Sequence, residues 1–125
     1  MGCRMAIRSI DAVRIFVTDV QRAQSFYGDI LGATPSLSSE SVAVFGLGQT
    51  KLIVEKADPN DEEGRGLVGR FAGVSFAVSD IAETCKSLAD QNVTIVGQPE
   101  RQDWGAILAH FADPDGNTLT LVQYL

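Results

Sequence analysis

The sequence has few of the residues that carry metal, redox or covalent chemistry. Its 125 residues include two cysteines, one histidine and one tryptophan. Cys3 and Cys85 are too far apart in sequence to form a metal-binding or redox motif, so two reduced thiols in a cytoplasmic protein are expected. No apolar run approaches the roughly 18 residues that cross a membrane. These shortages argue against a disulfide scaffold, a cysteine-based metal centre and a membrane-spanning protein.

Basic residues are also in the minority. Ten Lys and Arg against 16 Asp and Glu give a formal net charge of −6. Nucleic acid and anionic membranes repel an acidic chain, so neither is an expected partner. The hydrophobic content of 45% is ordinary for a globular protein. The length fits one domain with a core of its own.

Local patterns predict two helices and eight strands. Asp19 and Asp80 each precede an amphipathic stretch as an N-cap, and Gly32 ends the first helix. Alternating apolar and polar residues predict the strands. Their predicted ranges are 12–18, 34–38, 42–47 and 50–55 in the first half, and 73–79, 93–96, 106–112 and 118–124 in the second.

The two halves repeat the element order β-α-β-β-β, which indicates an internal duplication. Val13 matches Val74 early in the halves, and the alignment places Leu52 opposite Thr120 near their ends. The stretch between the halves has no periodicity and is rich in Gly, Pro and acidic residues, so it is predicted to be a linker. We expect a single domain over 1–125, with module one over 10–55, the linker over 56–70 and module two over 71–125.

Several short motifs carry a family resemblance. They are Val17-Thr18-Asp19, Phe26-Tyr27 with Ile30-Leu31-Gly32, Val78-Ser79-Asp80, and the terminal stretch that contains Asp113-Pro114-Asp115-Gly116-Asn117. Together they resemble the vicinal oxygen chelate superfamily of glyoxalase I, extradiol dioxygenases, fosfomycin-resistance thiol transferases and bleomycin-binding proteins. The resemblance implies an α+β fold in which two tandem βαβββ modules form a cup-shaped eight-stranded mixed sheet with helices outside. We also expect a homodimer.

The resemblance implies where a metal would be bound. Metal-dependent relatives hold a divalent ion in the cup with up to four residues, two from each half. In this chain those positions are Ala12, Leu52, Gly73 and Thr120. Ala, Leu and Gly have no donor atom, and a threonine hydroxyl is a poor ligand beside carboxylate or imidazole. We therefore expect no metal and no other cofactor, which would remove the Lewis acid used by those relatives.

Strand parity nominates the residues that line the cup. Arg14 needs a partner, and both a ligand carboxylate or phosphate and an internal Glu or Asp are candidates. His110 is a candidate general base or a structural hydrogen-bonding residue. Trp104 is expected to stack on a planar ligand or to pack at a dimer contact. The expected ligand-binding residues are Arg14, Phe16, Ser75, Trp104, Leu108, His110 and Thr120, and the wider lining comprises Ala12, Leu52, Val54, Gly73, Ala77, Thr118 and Val122.

The leading hypothesis is a metal-free protein that binds a small organic molecule in the cup, in the style of the bleomycin-binding relatives. An enzyme is disfavoured. The first alternative is a metal-dependent or metal-free lyase, isomerase or dioxygenase with a non-standard site, with His110 as the base in the metal-free case. The second is an interaction module whose cup is filled by Phe16, Leu52 and Leu108. The acidic net charge favours a cationic ligand and Arg14 an acidic one, so the ligand stays open.

Overall fold

The computed structural model describes residues 6–125, so Cys3 lies outside the described residues. Over this range the chain forms two helices and eight strands, which confirms the α+β class and the two βαβββ modules. No helix within it has the length and apolar character needed to cross a bilayer. The first module contains β1 (Ala12–Val17), α1 (Val20–Leu31), β2 (Leu37–Ser38), β3 (Val42–Leu47) and β4 (Thr50–Lys56), and the second contains β5 (Phe71–Ala77), α2 (Ile81–Asp90), β6 (Thr94–Gln102), β7 (Ala106–Ala112) and β8 (Thr118–Tyr124).

The helix termini follow the sequence signals. The Asp19 carboxylate accepts a hydrogen bond from the backbone N–H of Arg22 at 3.1 Å, and Asp80 accepts one from the N–H of Glu83 at 3.1 Å. Gly32 takes the left-handed conformation, with φ 62°, at the end of α1. Between the modules, residues 57–70 contain only turns and irregular backbone.

The eight strands are divided between two four-stranded mixed sheets rather than joined in one continuous sheet. The strand order is β1-β4-β3-β2 in the first sheet and β5-β8-β7-β6 in the second. In each sheet the first strand of the module pairs in parallel with its last strand, and the other pairs are antiparallel. The two sheets therefore repeat one topology, as a duplication predicts.

One hydrophobic core joins both modules. Helix α1 packs on β3 and β4, and its Phe26 ring lies 6.4 Å from the ring of Phe111 on β7. Helix α2 packs on β6, β7 and β8. The helical residues buried in this core are spaced three or four apart along each helix: Val20, Ala23, Tyr27, Ile81, Cys85 and Leu88. Both helices thus lie in a core shared by the two sheets, and each sheet keeps its other face open.

The turn between β7 and β8 fastens the modules together. Asp113 accepts a 2.7 Å hydrogen bond from the hydroxyl of Tyr27 on α1. The Asn117 side chain donates to the carbonyl of Phe16 on β1 at 2.9 Å and accepts from the N–H of Gly69 at 2.8 Å. Burial and then the Asp113 carboxylate raise the pKa of Tyr27 above its ordinary value. This turn therefore serves as a polar link between the two halves.

Candidate functional site

The open face of each sheet carries the residues that a ligand could reach. On β1, Ile15 and Val17 are buried in the core, so Arg14 and Phe16 lie on the open side. On β7, Ala109 and Phe111 pack in the core, so Leu108 and His110 lie on the opposite side of the strand. The corresponding face of the second sheet carries Phe71, Ser75, Ala77, Leu108, His110, Thr120 and Val122, of which Thr120 and Val122 are buried.

His110 is held in place by three neighbours. Its Nδ1 lies 2.9 Å from Oγ1 of Thr120, its partner across β7 and β8. The ring of Phe71 meets the imidazole edge-on, with ring centroids 6.1 Å apart. Gly97 lies opposite His110 on β6, and a Cβ at Gly97 would come within 2.9 Å of the imidazole Cδ2. The imidazole is therefore confined to one position on the open face.

A cavity of about 460 Å³ lies beside this imidazole, along β6 and β7. Its volume falls in the range typical of small-molecule sites, roughly 300–1,000 Å³. Leu108 supplies an apolar wall, while His110 and the side chains of β6 supply polar groups. The lining residues are Gly97, Gln98, Pro99, Glu100, Gln102, Leu108 and His110.

Arg14 is paired within the protein. Its Nε donates to one carboxylate oxygen of Glu55 at 2.6 Å and its Nη2 to the other at 3.1 Å. The hydrogen bond and the charge of Glu55 raise the pKa of Arg14. The guanidinium carbon also lies 5.1 Å from the centroid of the Phe16 ring. Of the two partners left open by the sequence, the structure supplies the internal carboxylate, and the pair stays exposed on the first sheet.

Two residues of the predicted cup lining lie in the core instead. Leu52 is 1% exposed and Val54 is 0% exposed, and both pack with the helices. The register of β1 with β4 places Ile53 beside Arg14 and Glu55 beside Phe16. The open face of β4 therefore carries Lys51, Ile53 and Glu55.

The error in the prediction comes from the repeat alignment, which is out by one residue. Arg14 is equivalent to Ser75, because Val13 matches Val74. Ser75 pairs with Thr120, whereas Arg14 pairs with Ile53. Ile53, not Leu52, is thus the counterpart of Thr120. Side chains alternate between the two faces of a strand, so a slip of one residue inverts the assignment.

The remaining predicted site residues are dispersed. Trp104 lies in the turn between β6 and β7 and is 59% exposed, and Ser75 is exposed on β5. Thr120 is 4% exposed and is joined to His110. The structure brings together His110, Thr120 and Leu108, while Arg14 and Phe16 lie on the other sheet.

Sequence reasoning missed the contribution of β6 and of Glu55. Gly97 and Glu100 line the cavity, but the predicted strand ended before them because glycine and proline interrupt the alternation. The repeat alignment puts Leu52 and Val54 on the open face and therefore turns Glu55 away from it. The face of Glu55 follows from the register of β1 with β4, because parallel neighbours in register share a face, and the local sequence does not contain that register.

The donor groups at the family's metal positions do not suit a divalent ion. With the alignment corrected, the positions are Ala12, Ile53, Gly73 and Thr120. Gly73 has φ 71°, a left-handed conformation in which a ligating side chain would be strained. Within residues 6–125, no group of three or more His, Cys, Asp or Glu side chains lies close enough to hold an ion. Among these four positions, the only side-chain donor is therefore the Thr120 hydroxyl.

The structure is therefore an α+β fold made of two βαβββ modules that share one hydrophobic core. The chain belongs to the Glyoxalase/Bleomycin resistance protein/Dioxygenase superfamily, whose family model matches residues 9–121. The resemblance carried by the short motifs is thereby confirmed.

The chain is also similar to individual proteins over most of its length. The uncharacterized protein YraH of Bacillus subtilis (strain 168) is 32% identical over 123 residues, which cover 90% of this chain and 96% of YraH. Metallothiol transferase FosB of Staphylococcus saprophyticus is 31% identical over 119 residues, 92% of this chain and 76% of FosB. The crystal structure of TnmS3, an antibiotic binding protein from Streptomyces sp. CB03234, shares the fold, with a TM-score of 0.76 at 24% identity over 98% of this chain and 100% of TnmS3.

Proposed function

We propose that this protein binds a small organic molecule, without a metal ion, on the open face of its second module. The observation that carries the proposal is the cavity of about 460 Å³ beside a fixed imidazole, at a place where the family's metal position holds Thr120. The proposed ligand-binding residues are Phe16, Ser75, Trp104, Leu108, His110 and Thr120, with Arg14 taking part as an ion pair with Glu55.

The proposal includes a homodimer. Arg14 and Phe16 lie on the first sheet and His110 on the second, so one ligand could reach both sets if the first module of one copy covered the second module of another. Exposed apolar side chains on or beside the open faces would be buried by that contact, among them Leu37, Phe71 and Trp104. Light scattering after size exclusion is expected to report a dimer, and a monomer at all concentrations would contradict this part of the proposal. The proposal also includes a cytoplasmic location, because the two cysteines of the sequence are expected to be reduced thiols.

The proposed function of this chain differs from the activity of the metallothiol transferase that it resembles. That relative's activity is named for a metal, and here Ala12, Gly73 and Thr120 replace the side chains that family members use to hold an ion. We therefore expect the protein to bind a ligand that it does not transform. Antibiotics are one candidate class, since an antibiotic binding protein shares the fold.

Native mass spectrometry of the protein purified from its own host, with metal analysis of the same sample, tests both halves of the proposal. An organic adduct with substoichiometric metal is the expected result. Leu108→Trp should fill the cavity and remove the adduct, while Ile10→Trp, at an exposed position, should keep it. Stoichiometric zinc, nickel, manganese or iron would contradict the metal-free half, and a wild-type protein without adduct would contradict the ligand half.

One observation supports a second candidate, a metal-free lyase or isomerase. His110 faces the cavity with an imidazole that could exchange a proton with a bound substrate. If the molecule identified by mass spectrometry is turned over, His110→Ala should slow turnover by about 100-fold or more. Turnover that survives this substitution unchanged would leave binding as the function.

A further inference from the structure

We infer that His110 and Glu100 form a two-point recognition site for a ligand with a hydrogen-bond acceptor, such as a carbonyl or phenolate oxygen, and a cationic or hydroxyl donor about 7 Å away. The inference rests on the proposed function, because it names the chemical class of molecule that the cavity would take. It is carried by the hydrogen bond between His110 and Thr120 and by the register of β6 with β7.

The burial of Thr120 favours one tautomer of His110. Thr120 is 4% exposed, so its hydroxyl proton needs an acceptor inside the protein. Among residues 6–125, its hydrogen-bond partner is His110 Nδ1 at 2.9 Å. When the hydroxyl donates to Nδ1, that nitrogen carries no proton. A neutral imidazole then carries its proton on Nε2.

The Nε2–H group is left for the ligand. His110 lines the cavity, and no side chain or backbone group of the described chain hydrogen-bonds to Nε2. Gly97 and Phe71 confine the ring, so it does not turn away to another partner. A donor that faces a partly apolar cavity gains most from an acceptor oxygen, because water there would be displaced by the ligand.

Glu100 supplies the second contact to the ligand. On β6, Gly97 lies opposite His110 and Glu100 lies opposite Leu108, two residues away along β7. Two residues of a strand span about 7 Å, and both side chains line the cavity. The carboxylate of Glu100 forms no salt bridge within residues 6–125. It is therefore able to accept from an ammonium or hydroxyl group, and the net charge of −6 favours the ammonium.

Nuclear magnetic resonance of the tag-free protein tests the tautomer directly, because His110 is its only histidine. At a pH where the imidazole is neutral, the ring nitrogen signals are expected to show a protonated Nε2 and an unprotonated Nδ1. Thr120→Val should let the two tautomers mix, whereas Thr94→Val, at an exposed position of β6, should leave the signals unchanged. A proton on Nδ1 in the wild-type protein would overturn the inference.

Three matched probes test the two points of recognition. 4-(Aminomethyl)benzamide carries a carbonyl acceptor and an ammonium group at opposite ends of a ring, benzylamine lacks the carbonyl, and 4-methylbenzamide lacks the ammonium. The first should bind about fivefold more tightly than either control, the ratio expected for one net hydrogen bond. His110→Ala should abolish its advantage over benzylamine, and Glu100→Gln its advantage over 4-methylbenzamide. Glu63→Gln, in the exposed linker, is the control variant.

The possible failures can be told apart. Equal binding of the three probes, or binding of none, would overturn the two-point site. If native mass spectrometry still reports an organic adduct in that case, the proposed function stands and only the ligand class is wrong. If the protein discriminates among the probes but carries no adduct from its host, the two-point site stands and the proposed function is contradicted.

Discussion

At the level of single side chains, Tyr27 places a hydroxyl group inside the hydrophobic core. It is 0% exposed, and its hydroxyl donates to the Asp113 carboxylate at 2.7 Å. Tyr27→Phe removes the donor and leaves a buried carboxylate short of one partner, so we expect a loss of about 2 kcal/mol in the free energy of unfolding. Urea denaturation followed by circular dichroism measures it. Tyr124→Phe, at an exposed tyrosine, should change stability by less than about 0.5 kcal/mol.

The same residue predicts how stability depends on alkaline pH. Burial raises the pKa of Tyr27 in the folded state above its ordinary value of 10.0. Above pH 10 the unfolded chain therefore loses this proton while the folded chain keeps it, and the unfolded state gains stability. The contribution of Tyr27 is complete below pH 10 and should fall by up to about 1.4 kcal/mol per pH unit above it. Denaturation series should show a steeper alkaline decline for wild type than for Tyr27→Phe, and parallel curves would contradict this.

At the level of elements, β6 determines the shape of the site. Its register shifts on either side of Gly97 let the strand continue past Pro99 and bring Glu100 to the cavity. Gly97→Ala places a Cβ 2.9 Å from the His110 ring. We expect the ring to be displaced, the bond to Thr120 to be lost, and stability to fall by about 1–3 kcal/mol.

The matched control for that substitution is Gly46→Ala. Gly46 lies inside β3, and a Cβ there would meet nothing within 4 Å. The histidine ring signals should move in Gly97→Ala and stay in place in Gly46→Ala. Unchanged ring signals in both variants would show that Gly97 does not position His110.

The elements differ in how far their sequences predict them. Asp19 and Gly32 mark the ends of α1 by contacts within a few residues, and β7 and β8 have the predicted bounds. Leu108 and His110 could be placed because their neighbours on β7 are wholly apolar. The Arg14–Glu55 pair could not, since its partners are 41 residues apart and meet only through the parallel register of β1 with β4. The sequence predicts features that depend on neighbouring residues, and it does not predict the register between distant strands.

At the level of the whole molecule, Asn117 holds the two modules in one folding unit. Its side chain bonds to Phe16 of the first module, to Gly69 of the linker and to Asp113 in its own turn. Asn117→Ala leaves several of these groups unpaired, and we expect a loss of about 3 kcal/mol. Thermal unfolding should show the loss, whereas Asn60→Ala, in the exposed linker, should be nearly neutral. A small effect of Asn117→Ala would mean that apolar packing alone joins the modules.

Alternation along the strands also separates what the chain must keep from what it is free to vary. Residues that pack against the helices determine whether the protein folds, and under the proposed function their neighbours one position away determine which molecule it accepts. A mutational library confined to Ser75, Ala77 and Leu108, which are not buried, should therefore yield many folded proteins with altered binding preferences. During evolution, the same arrangement would let binding specificity change by substitutions that leave the protein folded.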